Sequence, residues 1–157
     1  MIRILFVCLG NICRSPMAEG LFMQMVRRAG LERVIESDSA GTADWEIDAA
    51  PHPGTLAVLR RNGIDYRGRG RNLRPGDLDA FDYVITMDDQ NTRDVKRAGS
   101  GSEMIAPLMS FAAGSSVRDV PDPYFDNRFD ITHGLIREGV QGLLEHLIIA
   151  HGLRPEG

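Results

Sequence analysis

Residues 2–16 read IRILFVCLGNICRSP, and this stretch decides the fold. Its first part, Ile2–Val7, is a nearly continuous apolar run, which predicts a buried central strand with Cys8 at its carboxyl end. Ser15 precedes Pro16, and proline is favoured at the first position of a helix, so we expect Ser15 to cap a helix that begins there. The sequence therefore predicts a strand, a tight loop and a helix N-terminus in direct succession.

The loop after the first strand has the composition of an anion-binding site. Gly10 permits a tight turn, and Asn11 tolerates a left-handed backbone conformation. The backbone N–H groups of such a loop, together with the positive end of the helix dipole, attract an oxyanion such as phosphate. Arg14 can grip two oxygens of that anion in a planar fork. The same positive end stabilises a nucleophilic thiolate at Cys8; the alternative is a buried cysteine beside an unrelated arginine.

The rest of the chain alternates strand-like and helix-like segments, which predicts a parallel sheet with helices on both faces. The predicted fold is an α/β three-layer sandwich with the phosphate loop after its first strand, in a single domain of residues 1–157. The predicted strands are Ile2–Val7, Val34–Ser39, Asp82–Met87 and Met104–Leu108. The predicted helices are Pro16–Arg28 with Gly30 as its stop, Thr55–Arg61, Asp88–Lys96 and Phe129–Ala150.

The composition narrows the functional classes. Hydrophobic residues make up 43% and charged residues 25% of the chain, as in ordinary globular proteins. No apolar run is long enough for a membrane span or a signal peptide, so we expect a cytoplasmic protein with no membrane partner. The net charge of -4 gives no reason to expect nucleic-acid binding. The four histidines lack a metal-ligand spacing, so no metal site is expected.

A thiolate mechanism also needs a proton donor for the leaving oxygen. The best candidate is Asp122, because Pro121 and Pro123 stiffen the loop around its carboxyl group. The same carboxylate could then activate water. The residues alone leave a plain Asp-Pro turn open as the alternative.

Together these segments resemble the low-molecular-weight protein tyrosine phosphatase family over essentially the whole chain. The motifs that carry the resemblance, in matching order, are Cys8–Pro16, Ser39–Thr42, Trp45, Gly63-Ile64, Met87-Asp88 with Asn91, and Asp122–Tyr124. The resemblance implies a four-stranded parallel sheet flanked by helices and a phosphotyrosine-containing protein as substrate. It also implies inorganic phosphate or a similar oxyanion in the loop, and no metal or organic cofactor.

The resemblance implies a role for each catalytic residue. Cys8 is implied as the nucleophile, which forms a phosphocysteine intermediate. Arg14 is implied as the clamp on the transition state, and Asp122 as the general acid and then the general base. Ser15 is implied as the hydrogen-bond donor to the thiolate, and Asn11 as a brace for the loop.

The implied binding residues are the other loop members and the cleft walls. Trp45 and Tyr124 are implied to stack on the phosphotyrosine ring. The remaining substrate- and phosphate-binding residues are Leu9, Gly10, Ile12 and Cys13.

Three features depart from the family pattern. Family members often carry a histidine near Arg67–Arg71 that helps to hold the loop asparagine, and its absence here leaves the support of Asn11 open. Phe125 is followed by Asp126 where the family commonly has glycine, so the acid loop could bend differently and Asp126 could compete as a proton donor. The segment Glu46–Pro51 is locally divergent, which leaves the substrate rim open.

Three other functions are available to the same loop. A thiol-linked arsenate reductase relays oxidation through further cysteines, and none follows Cys13. In the related protein arginine phosphatases a threonine stands where Ile12 stands here, which favours phosphotyrosine. A non-catalytic phosphate-binding module would not need Cys8, Arg14 and Asp122 together.

Two features have more than one interpretation. Cys13 lies in the same loop as Cys8, so it either forms a reversible protective disulfide or fills a buried space. The arginines of residues 60–74 stand against one acid, Asp65. They are expected to form a solvated surface, with docking of an acidic partner as the alternative.

Overall fold

The structure is a computed structural model that describes residues 1–99 and 104–156. Its strands are β1 (Ile2–Cys8), β2 (Ile35–Gly41), β3 (Tyr83–Thr86) and β4 (Met104–Pro107). They form one four-stranded sheet in the order β2-β1-β3-β4, and every neighbouring pair is parallel. Its α-helices are α1 (Arg14–Arg28), α2 (Pro53–Arg61), α3 (Asp77–Ala80), α4 (Asp89–Ala98), α5 (Pro123–Asp126) and α6 (Phe129–His151).

Strand β1 lies between β2 and β3, and its side chains pack into two separate hydrophobic cores, one on each face of the sheet. Ile4 and Phe6 pack with α1, α2 and α6 on one face, whereas Leu5 and Val7 pack with residues of α3 and α4 on the other. Because alternate side chains of a strand point to opposite faces, an unbroken apolar run needs cover on both. The predicted three-layer α/β sandwich is therefore confirmed.

The predicted long elements are present, with ends that differ by one or two residues. Short elements were missed: α3, α5 and a 3₁₀ turn at Leu108–Phe111. Four residues are too few to show a helical period, so they leave no pattern in the sequence. The predicted stop of α1 is confirmed, since Gly30 follows the helix with φ +70°.

The predicted start of α1 is wrong. The helix begins at Arg14 with Cys13 at the N-cap position, and no side chain of the described residues caps it. Ser15 lies inside the first turn, fully buried, and its hydroxyl group contacts the Cys8 sulfur instead of a helix N–H group. In the part of the chain that the structure describes, no helix is long and apolar enough to cross a membrane.

Candidate active site

The loop between β1 and α1 is clamped to the residues that follow β2. The Cys8 carbonyl oxygen accepts from the Thr42 N–H at 2.9 Å, and the Leu9 carbonyl oxygen accepts from the Ala43 N–H at 2.9 Å. A Cβ atom at position 41 would lie 2.8 Å from the Leu9 carbonyl oxygen, so the close approach requires Gly41. The loop backbone therefore continues the pairing of the two strands beyond the sheet.

Asn11 orients the polar groups beneath the loop. It takes a left-handed conformation, with φ 58°, and is almost fully buried. Its Oδ1 accepts from the Arg71 N–H at 2.9 Å, which fixes the orientation of the amide. Its Nδ2 then donates to Ser15 Oγ at 2.8 Å and to Ser39 Oγ at 3.0 Å. Since Ser15 accepts from Asn11, its own hydroxyl proton is left for Cys8.

Cys8 and Arg14 meet at the N-terminus of α1. The Cys8 Sγ lies 3.0 Å from Ser15 Oγ and 3.5 Å from the Ser15 backbone nitrogen. The Arg14 Nη1 donates to Asp88 Oδ2 at 2.7 Å and to the Val120 carbonyl oxygen at 2.9 Å. Arg14 is 2% exposed, and among the described residues its Nε finds no hydrogen-bond acceptor.

The charge on Arg14 is secured by its neighbours. Burial lowers the pKa of Arg14, but electrostatic interactions with Cys8, Asp122 and Asp88 and the hydrogen bond to Asp88 outweigh that cost and raise the pKa above its ordinary value. The guanidinium group is therefore a fixed positive charge at the floor of the site. Among the described residues, two of its five N–H donors have no acceptor, the Nε–H and the second Nη2–H, because Nη1 contacts Asp88 and Val120 and Nη2 contacts only Asp122.

Asp122 reaches the site from the loop before α5. Its Oδ2 lies 3.4 Å from Arg14 Nη2, and its Oδ1 accepts from the Tyr124 N–H at 3.1 Å, so it caps α5. The competing acid is placed elsewhere: Asp126 is exposed, accepts from the Arg128 N–H at 2.9 Å, and does not line the cleft. Of the two carboxyl groups, only that of Asp122 faces the cysteine loop.

The partly buried phenol of Tyr66 lies beside the segment Arg67–Arg71, where family members often carry a histidine. The Tyr66 hydroxyl donates to Glu19 Oε1 at 2.7 Å and lies 3.4 Å from Ser39 Oγ, which contacts Asn11. Burial and the neighbouring Glu19 raise the pKa of Tyr66, so the phenol stays neutral and keeps its proton. Burial also raises the pKa of Glu19, although the hydrogen bond from Tyr66 opposes the shift. Asn11 is thus supported through Ser39 and through the Arg71 backbone.

The sequence profile described as low molecular weight phosphotyrosine protein phosphatase matches residues 3–150. The chain belongs to this family. The protein is therefore an enzyme of a family of cysteine-dependent phosphatases. It is 44% identical over 147 residues to the low molecular weight protein-tyrosine-phosphatase YfkJ of Bacillus subtilis, an alignment that covers 92% of this chain and 94% of YfkJ. The crystal structure of YfkJ matches with a TM-score of 0.93 at 42% identity and covers 96% of each chain.

Other similar proteins carry related names. The low molecular weight phosphotyrosine protein phosphatase of Schizosaccharomyces pombe is 44% identical over 127 residues, covering 79% of this chain and 81% of that protein. The crystal structure of the Drosophila arginine phosphatase matches with a TM-score of 0.85 at 28% identity, covering 92% of this chain and 97% of that chain. These similarities extend the family assignment across nearly the whole length of the phosphatase.

The phosphatase cleft opens above the cysteine loop, with a volume of about 240 Å³. Its walls carry exposed aromatic rings: Trp45 is 71% exposed, Tyr124 55% and Phe125 72%. The lining residues are Cys8, Leu9, Gly10, Ile12, Cys13, Trp45, Glu46, Asp122, Tyr124 and Phe125. The cleft thus combines a buried polar floor with apolar, solvent-facing sides.

Cys13 shares this cleft with Cys8, and both are free thiols. Burial, with the charges of Asp122 and Cys8, raises the pKa of Cys13 to about 12. The Cys13 thiol is therefore neutral at physiological pH.

Of the six arginines in residues 60–74, three form ion pairs with acids: Arg61 with Asp130, Arg67 with Asp65, and Arg71 with Asp38 and Asp77. Arg71 is partly buried, with Nη1 3.0 Å from Asp77 Oδ2 and Nε 3.1 Å from Asp38 Oδ2. Between Arg71 and Arg69, Gly70 passes so close to the Trp45 loop that a Cβ atom there would meet the Glu46 carbonyl oxygen. This segment therefore holds the rim in place.

Sequence reasoning missed several contributors to the site. Asp88 was noted only as part of a motif, although an acid directly after a parallel strand is a recognisable pattern because such strand ends face ligand sites. Tyr66 and Glu19 left no local pattern that links them to the loop. Among the described residues, no group of three or more His, Cys, Asp or Glu side chains is placed to hold a metal ion.

Proposed function

We propose that this phosphatase hydrolyses phosphotyrosine in proteins through a phosphocysteine intermediate. The observation that carries the proposal is that Arg14, buried at a helix N-terminus beside Cys8, has an Nε with no acceptor within residues 1–99 and 104–156. A phosphoryl group seated on the loop would supply that acceptor and lie over the thiolate.

In the first step, the Cys8 thiolate attacks phosphorus, the S–P bond forms and the ester P–O bond breaks. Asp122 donates its proton to the departing phenolate oxygen, which leaves as tyrosine. In the second step, Asp122 as carboxylate takes a proton from water, and the water oxygen attacks phosphorus. The S–P bond then breaks, which releases inorganic phosphate and restores the thiolate.

The charge that develops on the phosphoryl oxygens is met by Arg14 and the loop N–H groups. Asp88 and the Val120 carbonyl oxygen accept from Nη1 and so fix one edge of the guanidinium group. The N–H donors on Nε and Nη2 are therefore preorganised for the transition state. Ser15 donates to Cys8 and stabilises the thiolate both as nucleophile and as leaving group.

The walls support an aromatic phosphoester as the substrate. Trp45 and Tyr124 offer exposed rings for stacking on the phosphotyrosine ring, and Leu9 and Ile12 add apolar contact. We propose that this hydrolysis needs neither a metal nor an organic cofactor. Protein arginine phosphatases have a threonine where this chain has Ile12, which favours phosphotyrosine as the substrate. Phosphoarginine is therefore assayed only as the alternative substrate.

We infer a protective role for Cys13. If a peroxide oxidises Cys8 to a sulfenic acid, the Cys13 thiol can condense with it, forming a disulfide and releasing water. The reducing cytoplasm, where we expect the protein, would regenerate both thiols.

The test is phosphate release from a phosphotyrosyl peptide, in chelator and reductant, by the wild type and by Cys8→Ser. Release by the wild type alone is expected. Release by both proteins would remove Cys8 as the nucleophile. Release by neither protein would contradict the proposal. Phosphoarginine hydrolysis, arsenate reduction and phosphate binding without catalysis would then be assayed on the same preparations.

A further inference from the structure

His52 stands where the cysteine loop, α2 and α6 meet. Its Nδ1 accepts from the Gly54 N–H at 3.0 Å and so caps α2. A ring nitrogen that accepts carries no proton, so in the neutral ring the proton is on Nε2. Its backbone N–H donates to the Ile12 carbonyl oxygen at 2.8 Å, which ties this helix start to the loop.

One face of the His52 ring is fixed by α6. It stacks on Phe129, with ring centroids 4.9 Å apart and an interplanar angle of 26°. Phe129 itself is seated tightly, because a Cβ atom at Gly54 would lie 2.5 Å from its ring. The cap and the stack together hold the imidazole in one orientation.

The His52 ring also meets the cleft wall. It packs with Tyr124 in an edge arrangement, with centroids 6.3 Å apart and an interplanar angle of 82°. Tyr124 is 55% exposed and also contacts Phe125, a ring that is 72% exposed. Tyr124 thus contacts two rings, and of these His52 is the one held by its hydrogen bond from Gly54 and its stack on Phe129.

We propose that His52 is a positioning residue for substrate recognition, which holds the Tyr124 ring as a wall for the aromatic ring of a phosphotyrosyl substrate. The inference rests on the proposed function and deepens it. The ring of His52 sets where Tyr124 stands, whereas its Nδ1 sets where α2 begins. The two roles are separable, because different atoms perform them.

Two variants separate these roles. His52→Asn retains a side chain favoured at N-caps and removes the ring. His52→Phe retains a ring and removes the acceptor. The backbone bond to Ile12 is unaffected by either change. We expect His52→Asn to raise KM for a phosphotyrosyl peptide about 2- to 10-fold, with kcat and the Ki of inorganic phosphate unchanged. We expect His52→Phe to keep KM near the wild-type value and to lower Tm by about 2 to 4 °C.

A coupling test completes the design. In a Tyr124→Ala background, His52→Asn should have no further effect on KM, because the wall it positions is gone. A His52→Asn protein whose KM equals that of the wild type would overturn the inference, and so would an equal rise in KM and in the Ki of inorganic phosphate. A wild type inactive on the peptide would instead remove the proposed function, so the two failures are distinguishable.

Discussion

The floor and the rim of the cleft are built in opposite ways. At the floor, Cys8 and Arg14 are each 2% exposed, and Ser15 is fully buried. At the rim, Trp45 and Phe125 are more than two-thirds exposed. Cys8, Arg14 and Ser15 are held by hydrogen bonds, whereas the rim residues Tyr124 and Phe125 are held by ring contacts. We therefore expect floor substitutions to lower kcat and rim substitutions to change KM.

The largest effect is expected at Arg14. Replacing Arg14 with Lys keeps a positive charge but removes the planar fork and leaves Asp88 and the Val120 carbonyl oxygen without their donor. We expect kcat to fall by about 10²- to 10³-fold or more, as when a preorganised transition-state donor is lost. Steady-state kinetics on a phosphotyrosyl peptide measure this. The control is Arg67→Lys, at a side chain 85% exposed, which should leave kcat unchanged. If Arg14→Lys and Arg67→Lys had the same kcat, the floor would not have the special role in turnover that the comparison assigns to it.

The next effect is expected at Asp122. Replacing Asp122 with Ala removes the proton donor, so turnover should fall about 10²- to 10⁴-fold for phosphoesters with poor leaving groups. The fall should shrink as the leaving-group pKa decreases, because a good leaving group departs without a proton. A series of aryl phosphates measures the slope. Asp126→Ala, four residues further on in α5, is the matched control and should retain the wild-type slope. A changed slope in Asp126→Ala alone would reassign the acid.

A smaller effect is expected at Tyr66. Tyr66→Phe removes the donor to Glu19 and loosens the support of Asn11, which should cost about 1–3 kcal/mol of unfolding free energy and lower kcat less than Asp122→Ala does. The Tyr66 hydrogen bond lowers the pKa of Glu19, so its loss raises that pKa further above 4.5. A folded-state pKa that is raised makes stability fall as pH increases.

Urea unfolding at two pH values checks the sign. Tyr66→Phe should be destabilised more at pH 7, which favours the ionised form of the partly buried Glu19, than near its ordinary pKa of 4.5. In a Glu19→Gln background this pH dependence should disappear, since no carboxyl group remains. A destabilisation that is equal at both pH values would show that the hydroxyl acts without Glu19.

The smallest effect is expected at Trp45. Trp45→Ala removes a stacking surface and should raise KM for a phosphotyrosyl peptide about 2- to 10-fold, with kcat nearly unchanged. Ile47→Ala is the matched control, because Ile47 is exposed on the same loop and does not line the cleft. If both variants raise KM equally, the rim acts through loop structure rather than through ring stacking.

The floor of the site is the part that the sequence predicted best. Cys8, Arg14 and Ser15 are near neighbours along the chain, so one strand–loop–helix pattern places them together. Even there, the predicted helix start lies two residues too late, because the Ser15 hydroxyl group contacts Cys8 and Asn11 rather than the helix end. The local sequence therefore predicts which residues form the floor, but it does not predict which hydrogen bonds they make.

Long-range contributors could not be predicted in the same way. Asp122 is brought to Arg14 across 108 residues; its flanking prolines made it the best candidate acid but left a plain turn open, and the resemblance implied its role. The support of Asn11 comes partly from the Arg71 backbone N–H, and a backbone donor has no residue-type signature. Tyr66 contributes a second support through Ser39, with a side chain different from the histidine that family members often carry.

The central claim is that Cys8 carries the phosphoryl group during turnover. The most direct measurement is acid quenching of Asp122→Ala during reaction with an aryl phosphate that has a good leaving group, followed by peptide mass mapping. The first step then needs no proton, while hydrolysis of the intermediate lacks its base, so the intermediate should accumulate. The account predicts a phosphoryl group on Cys8 that is absent from the Cys8→Ser, Asp122→Ala double variant. A phosphoryl group on any other residue, or a burst of product with no adduct, would contradict it.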